Sequence, residues 1–168
     1  MKANEKLRYD RLTFYQEDMD QIDKLLGEFL RLSGAKCALL VDKDGHLVTK
    51  RGEVRTIDMD TISALVAGSF AATKEMARLL GEEEFSALFH QGARDNIQLS
   101  LVGERTLLTI LFDDRTTVGM VRLYANETAK KLAVIYRKAA ERQAEQGDPS
   151  LDADYGDDAK RKLSNLFD

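Results

Sequence analysis

The residues able to do chemistry are few and scattered. The chain has two histidines, His46 and His90, and one cysteine, Cys37. His46 follows a turn and His90 stands in FHQG, and neither has a second His or Cys at metal-ligand spacing. Cys37 opens the apolar run CALLV, which reads as a buried strand, so it is a small core residue before it is a nucleophile. No G-x-x-x-x-G-K-[ST] loop occurs and no G-x-G-x-x-G follows a strand, so nothing here cradles a nucleotide phosphate. Asp113-Asp114 falls in a loop, where solvated turn residues are the ordinary explanation. The serines have no nucleophile-elbow context. The expectation is a chain with no catalytic residues, no metal and no cofactor of its own.

What the spacing does produce is surfaces. Ala64, Ala67, Gly68 and Ala71 recur at helical intervals and form a small-residue face. A glycine in mid-helix costs roughly 1 kcal/mol against alanine, which implies a close approach to the backbone there. The approaching body is the sheet, a sister helix or a partner. Ile97, Leu99 and Leu101 alternate with Gln98 and Ser100 in a strand without charge. At a sheet edge such a strand must be paired or covered, and pairing with its own copy across a twofold axis is one solution. A covering loop is the other. Further on, Ala159, Leu163, Leu166 and Phe167 have helical spacing opposite Lys160, Arg161 and Lys162. A segment this short does not hold a helix alone but can fold in a partner's groove.

These surfaces need elements to carry them. A first helix is expected from Thr13, capped by Thr13 and Gln16, with Tyr15, Met19, Ile22, Leu26 and Phe29 as its stripe and Gly34 as its stop. KCALLVD reads as a central strand, residues 42–45 as a turn and 46–50 as a polar strand. A second helix starts at Asp58 or Asp60 and stops at Gly81, with Ile62, Leu65, Ala72, Met76 and Leu79 expected to face the core. Strands are expected at 96–102, 106–112 and 117–124, the first two joined by a tight turn with Gly103 in its first central position. A third helix begins at Asn126 and carries Ala129, Leu132, Tyr136 and Ala139 on one side. The order α-β-β-α-β-β-β-α with short turns predicts an α/β (α+β) fold: a mostly antiparallel five-stranded sheet with helices on its faces. Residues 13–146 form the domain, 147–158 an acidic linker and 159–168 a short amphipathic segment.

Composition narrows the partner. Apolar residues make up 43% and charged ones 32%, as in a soluble globular protein. No apolar run approaches a membrane span and no h-region follows the first residues, so neither membrane insertion nor a secretory signal is expected. One cysteine fits a reducing cytoplasm. The net charge is −4, and residues 145–168 carry seven acids against three bases, which leaves the preceding body neutral. A neutral body argues against nucleic acid or anionic lipid and leaves protein surfaces.

Four segments then point to a family. ALLVDKDGHLV, LVAGSFAATKEMARLLGEEEF, FHQGARDNIQLSLVG and LTILFDDRTTVGMVRL together resemble the Roadblock/dynein-light-chain family, and within it the bacterial MglB-like regulators of a Ras-like gliding and polarity GTPase. The LVAG-x-x-AAT and FDDRT-x-x-G segments stand in the family's order and spacing, and LSNLFD resembles its C-terminal helix. The resemblance implies a five-stranded antiparallel sheet with the middle helix on one face and the outer helices on the other. It implies homodimers that join sheets through the third strand and bring the middle helices together. It implies that the dimer binds one small GTPase of the MglA type and accelerates GTP hydrolysis without an arginine finger, so Arg94, Arg105 and Arg115 are structural. A scaffold that positions partners without changing hydrolysis is the alternative. The partner face is then Ala64, Ala67, Gly68, Ala71 and Glu75, with Leu163, Leu166 and Phe167 as a second contact. Glu75 departs from the pattern, because the family carries a small residue there.

Overall fold

The computed structural model describes residues 12–53 and 58–146. Its elements in chain order are α1 (Gln16–Ser33), β1 (Cys37–Asp42), β2 (Leu47–Gly52), α2 (Met59–Leu80), β3 (Ala87–Gln91), β4 (Asn96–Val102), β5 (Thr106–Phe112) and α3 (Val118–Gln146). The five strands make one antiparallel sheet in the order β2-β1-β5-β4-β3. This is the expected architecture, but two elements differ from the sequence reading.

Residues 117–124, expected as a strand, begin α3 instead. The Thr117 hydroxyl accepts from Met120 N at 3.3 Å, and Val121 N bonds Thr117 O, so the helix starts there. Val121, Ala125, Thr128, Leu132 and Ile135 are buried at steps of four and three, one stripe that a strand would have split between two faces. The missing strand is β3, which lies before β4. It is short, of mixed polarity and mostly exposed, so its sequence shows no strong alternation. The third strand of the chain is therefore 87–91, and β4 is an inner strand bonded on both sides.

Registers fix which side chains share a face. Cys37, Leu39 and Val41 of β1 lie with Leu107 and Leu111 of β5 and with Ile97, Leu99 and Leu101 of β4, because directly paired residues point the same way. Met59, Val66 and Phe70 of α2 pack on this face. The opposite face carries Ala38, Leu40, Leu108 and Ile110, all fully buried. Over it lie α1, whose Asp23 accepts from Thr49 Oγ1 at 3.0 Å, and α3, whose Arg122 guanidinium stands 5.6 Å from the Phe89 ring centroid. Phe89 in turn stacks on Phe112 with centroids 6.1 Å apart. One helix therefore covers one face and two cover the other.

α1 begins later than Thr13. Asp18 Oδ2 accepts from Tyr15 N at 2.8 Å, which satisfies a donor at the helix start, and Gly34 ends the helix in the left-handed region. Ile22, Leu26 and Phe29 are buried as expected, but Tyr15 is 44% exposed. The β4–β5 connection has three residues, Gly103 to Arg105, and Gly103 has φ of 61°, a conformation only glycine adopts cheaply.

The chain divides into two compact units, Tyr15–Tyr136 and Met1–Phe14 with Arg137–Asp168. The first holds the sheet and most helical residues. In the described part of the second, Thr13 N bonds Gln143 Oε1 at 3.1 Å and Arg137 lies 3.9 Å from Glu141.

Candidate partner-binding surface

The middle helix decides where a partner can dock. Its N-terminus is fixed by Asp58, whose carboxylate accepts from Thr61 N at 3.1 Å and from Thr61 Oγ1 at 2.8 Å. Those bonds hold the Asp58 carboxyl below its ordinary value. The buried side of α2 is Met59, Ser63, Val66, Ala67, Phe70, Thr73 and Ala77. The expected core stripe is therefore rotated away from the sheet: only Ile62 is half-buried, while Leu65, Met76 and Leu79 are 65%, 55% and 74% exposed and Ala72 is exposed. α2 has apolar side chains on nearly all sides, so periodicity alone does not say which side its own sheet takes.

The expected small-residue face is brought together with one exception. Ala64, Gly68, Ala71 and Glu75 are all exposed, one turn apart along the outer side. Ala67 is 8% exposed and belongs to the sheet-facing side, so it is not available to a partner. A Cβ placed on Gly68 would meet nothing within 4 Å. The sheet is thereby ruled out as the body that needs this glycine, which is open among the described residues, while Gly45 of the β1–β2 turn lies against the Ala64 backbone one turn earlier. Glu75 sits at the end of this row, where Arg78 Nε donates to its Oε1 at 2.9 Å. The exposed pair leaves the apolar row bounded by a carboxylate whose charge is already matched.

The second expected surface moves. Ile97, Leu99 and Leu101 are not an edge: Leu99 is 1% exposed, and all three pack with Val66 and Phe70 under α2. Their alternation records one buried face, not an unpaired strand. The edge is β3. Leu101 N bonds Ser86 O, so Ser86, Leu88 and His90 turn their backbone polar groups toward β4. Ala87, Phe89 and Gln91 then present N–H and C=O outward, since bonded and unbonded pairs alternate in an antiparallel ladder. Sequence inspection missed this strand because five half-polar residues give no alternation to read.

The FDDRT segment has a structural role. Lys36 Nζ reaches Asp95 at 3.0 Å and Asp113 at 3.7 Å, while Arg115 Nε binds Asp113 at 3.0 Å and its Nη1 lies 3.4 Å from Glu53. The bond from Arg115, with Lys36 beside it, holds the Asp113 carboxyl low, and Asp113 with Glu53 holds the Arg115 guanidinium proton. Thr116 Oγ1 donates to Ser33 O at 2.6 Å, fastening the end of α1. Burial pushes the Cys37 thiol up to about 11, which suppresses the thiolate. Among the described residues, no three His, Cys, Asp or Glu side chains are grouped to hold a metal, and no helix is long and apolar enough to cross a membrane. Leu163, Leu166 and Phe167 lie outside the described residues.

Comparison with known proteins agrees with this geometry. The Roadblock/LC7 domain model matches residues 21–112, and the chain belongs to that family. Within it, the chain is similar to MglB. It is 36% identical to Myxococcus xanthus MglB, covering 70% of this chain and 96% of that one, with a TM-score of 0.68. The gliding protein MglB of Thermus thermophilus is 34% identical over 76% of this chain and 96% of its own, with a TM-score of 0.71. A structure described as MglB with a tetrameric arrangement is also 34% identical, at the same coverage, with a TM-score of 0.73. An uncharacterised protein of Methanocaldococcus jannaschii is 24% identical over 115 residues, which are 68% of this chain and 99% of that protein.

Proposed function

We propose that this chain is a homodimeric, cytoplasmic regulator that binds a Ras-like small GTPase of the MglA type and accelerates its GTP hydrolysis. The observation that carries the reading is the outer side of α2. Ala64, Gly68 and Ala71 are exposed, and although Gly45 lies against the Ala64 backbone, a Cβ on Gly68 would meet no described residue within 4 Å, so the helix backbone is open to close approach there. The likeness to MglB supports it. The catalytic groups then belong to the GTPase, whose own residues the regulator aligns. Arg115 is engaged by Asp113 and Glu53 and supplies no finger in trans. The C-terminal segment with Leu163, Leu166 and Phe167 adds a contact away from the nucleotide.

The dimer forms through β3 and α2. A twofold axis perpendicular to the sheet keeps both α2 helices on one side, and an axis through Phe89 pairs all five residues of β3. Ala87 then faces the partner copy's Gln91, and Leu88 its His90. This replaces Ile97, Leu99 and Leu101 as the contact. Further association into a tetramer is in keeping with the tetrameric arrangement described for one similar MglB structure.

Single-turnover GTP hydrolysis by the cognate GTPase, with and without this chain, tests the reading. Stimulation is expected. Binding without stimulation would leave only a scaffold that positions its partner. Ala87→Pro removes an outward N–H but no bond within the chain, so it should yield folded monomers by light scattering. A variant that remains dimeric would place the contact elsewhere.

A further inference from the structure

We infer that the β1–β2 turn is a second wall of the GTPase site, in which Lys43 and Asp44 contact the partner beside the small row of α2. The inference rests on the proposed regulatory reading and names further residues of that same site.

The outer side of α2 is two strips rather than one. At about 100° per residue, Ala64, Gly68, Ala71 and Glu75 fall on one line. Leu65, Ala72, Met76 and Leu79 fall on another, roughly a quarter turn away. The two strips have different neighbours. Ile62, beside Leu65 on the helix, packs on the cluster of Val66, Phe70 and Leu99 together with Leu88 of β3. Ala64 instead meets Gly45 of the β1–β2 turn, where an added Cβ would stand 3.1 Å from Ala64 Cα. The strand order β2-β1-β5-β4-β3 puts that turn at the far side of the sheet from β3. The large strip therefore leans toward the dimer edge, and the small row opens away from it, against the turn.

Only glycine lets the turn come so close. Gly45 has φ of 89°, and a side chain there would press on the helix backbone. The turn is also held in place. Asp42 Oδ1 accepts from Asp44 N at 3.0 Å and from His46 N at 2.9 Å, and Lys43 N donates to Arg105 O at 2.9 Å. The side chains of Lys43 and Asp44, by contrast, are exposed and bond nothing among the described residues. At the other end of the row, the Glu75 charge is already matched by Arg78. A fixed backbone that presents two unengaged charges beside an apolar row has the layout of an interface rim, where charges steer encounter and select among partners. A body seated on the small row meets the turn at the same time, because row and turn are in contact.

Photocrosslinking of the full chain tests this. Asp44→Cys, labelled with a short maleimide–diazirine, should capture the cognate GTPase loaded with a non-hydrolysable GTP analogue. Arg31→Cys, exposed on α1 across the sheet, should not, and buried Cys37 stays unlabelled. Lys43→Glu should raise the Kd several-fold through slower, salt-dependent association, while the dimer and the urea midpoint stay as in wild type. No capture from Asp44→Cys and an unchanged Kd for Lys43→Glu, with Ala71→Arg still abolishing binding, overturn the inference and leave the regulatory reading standing. The turn would then only buttress α2. Capture from Arg31→Cys in equal yield overturns it as well. A wild-type chain that binds no GTPase sinks both readings.

Discussion

The two sides of α2 differ in side-chain size as much as in exposure. The inner side sets Met59, Val66 and Phe70 into the sheet, where bulk fills volume between layers. The outer side lines up Ala64, Gly68, Ala71 and Ala72, where the lack of bulk leaves the backbone reachable, and flanks them with Leu65, Met76 and Leu79. One helix thus has two apolar sides, of which only the inner one is covered by the described residues. The difference predicts that inner substitutions act on stability and outer ones on association.

The largest effect belongs to the inner side. Phe70→Ala should destabilise the fold by about 3–5 kcal/mol in urea denaturation, because it empties a cavity under the helix. A change confined to partner binding would erase the distinction. Next, Ala71→Arg should abolish GTPase binding by titration calorimetry while the urea midpoint and the dimer stay as in wild type. Survival of binding would place the contact on another surface. Gly68→Ala separates the two sides more finely. With open space at its Cβ it should raise helix stability by about 1 kcal/mol, yet weaken GTPase stimulation by filling the approach path. Equal stimulation would show that nothing approaches closely there.

The smallest effect is a pH dependence at the helix start. Bonds from Thr61 lower the Asp58 carboxyl in the folded chain, so its stabilisation is present above the unfolded carboxylate value and lost as pH falls through the folded one. Asp58→Ala should lower the melting midpoint at neutral pH and flatten its fall on acidification. Because the cap serves both sides of α2, this substitution should leave the ratio of outer to inner effects unchanged.

Much of the fold is legible before any coordinates. The stripe Ile22, Leu26, Phe29, the apolar runs of β1 and β5, and the stops at Gly34 and Gly81 announce themselves by spacing and turn chemistry. The small row Ala64, Gly68, Ala71 is legible too. The missed β3 and the misread start of α3 have one cause: short segments with mixed polarity fit a strand or a helix equally until neighbours choose. The strand count survived only because one error replaced the other.

The sequence by itself determined α1, β1, β2, α2, β4, β5, the antiparallel sheet and the family, because these follow from periodicity, turn residues and motif spacing within short windows. Only the tertiary structure decided which side of α2 faces the sheet and which strand lies at the edge. Both depend on contacts between residues distant in the chain. A helix that is apolar all round gives no local sign of which side its own chain will cover. That choice separates Ala67, which is buried, from Ala64, Gly68 and Ala71, which are open.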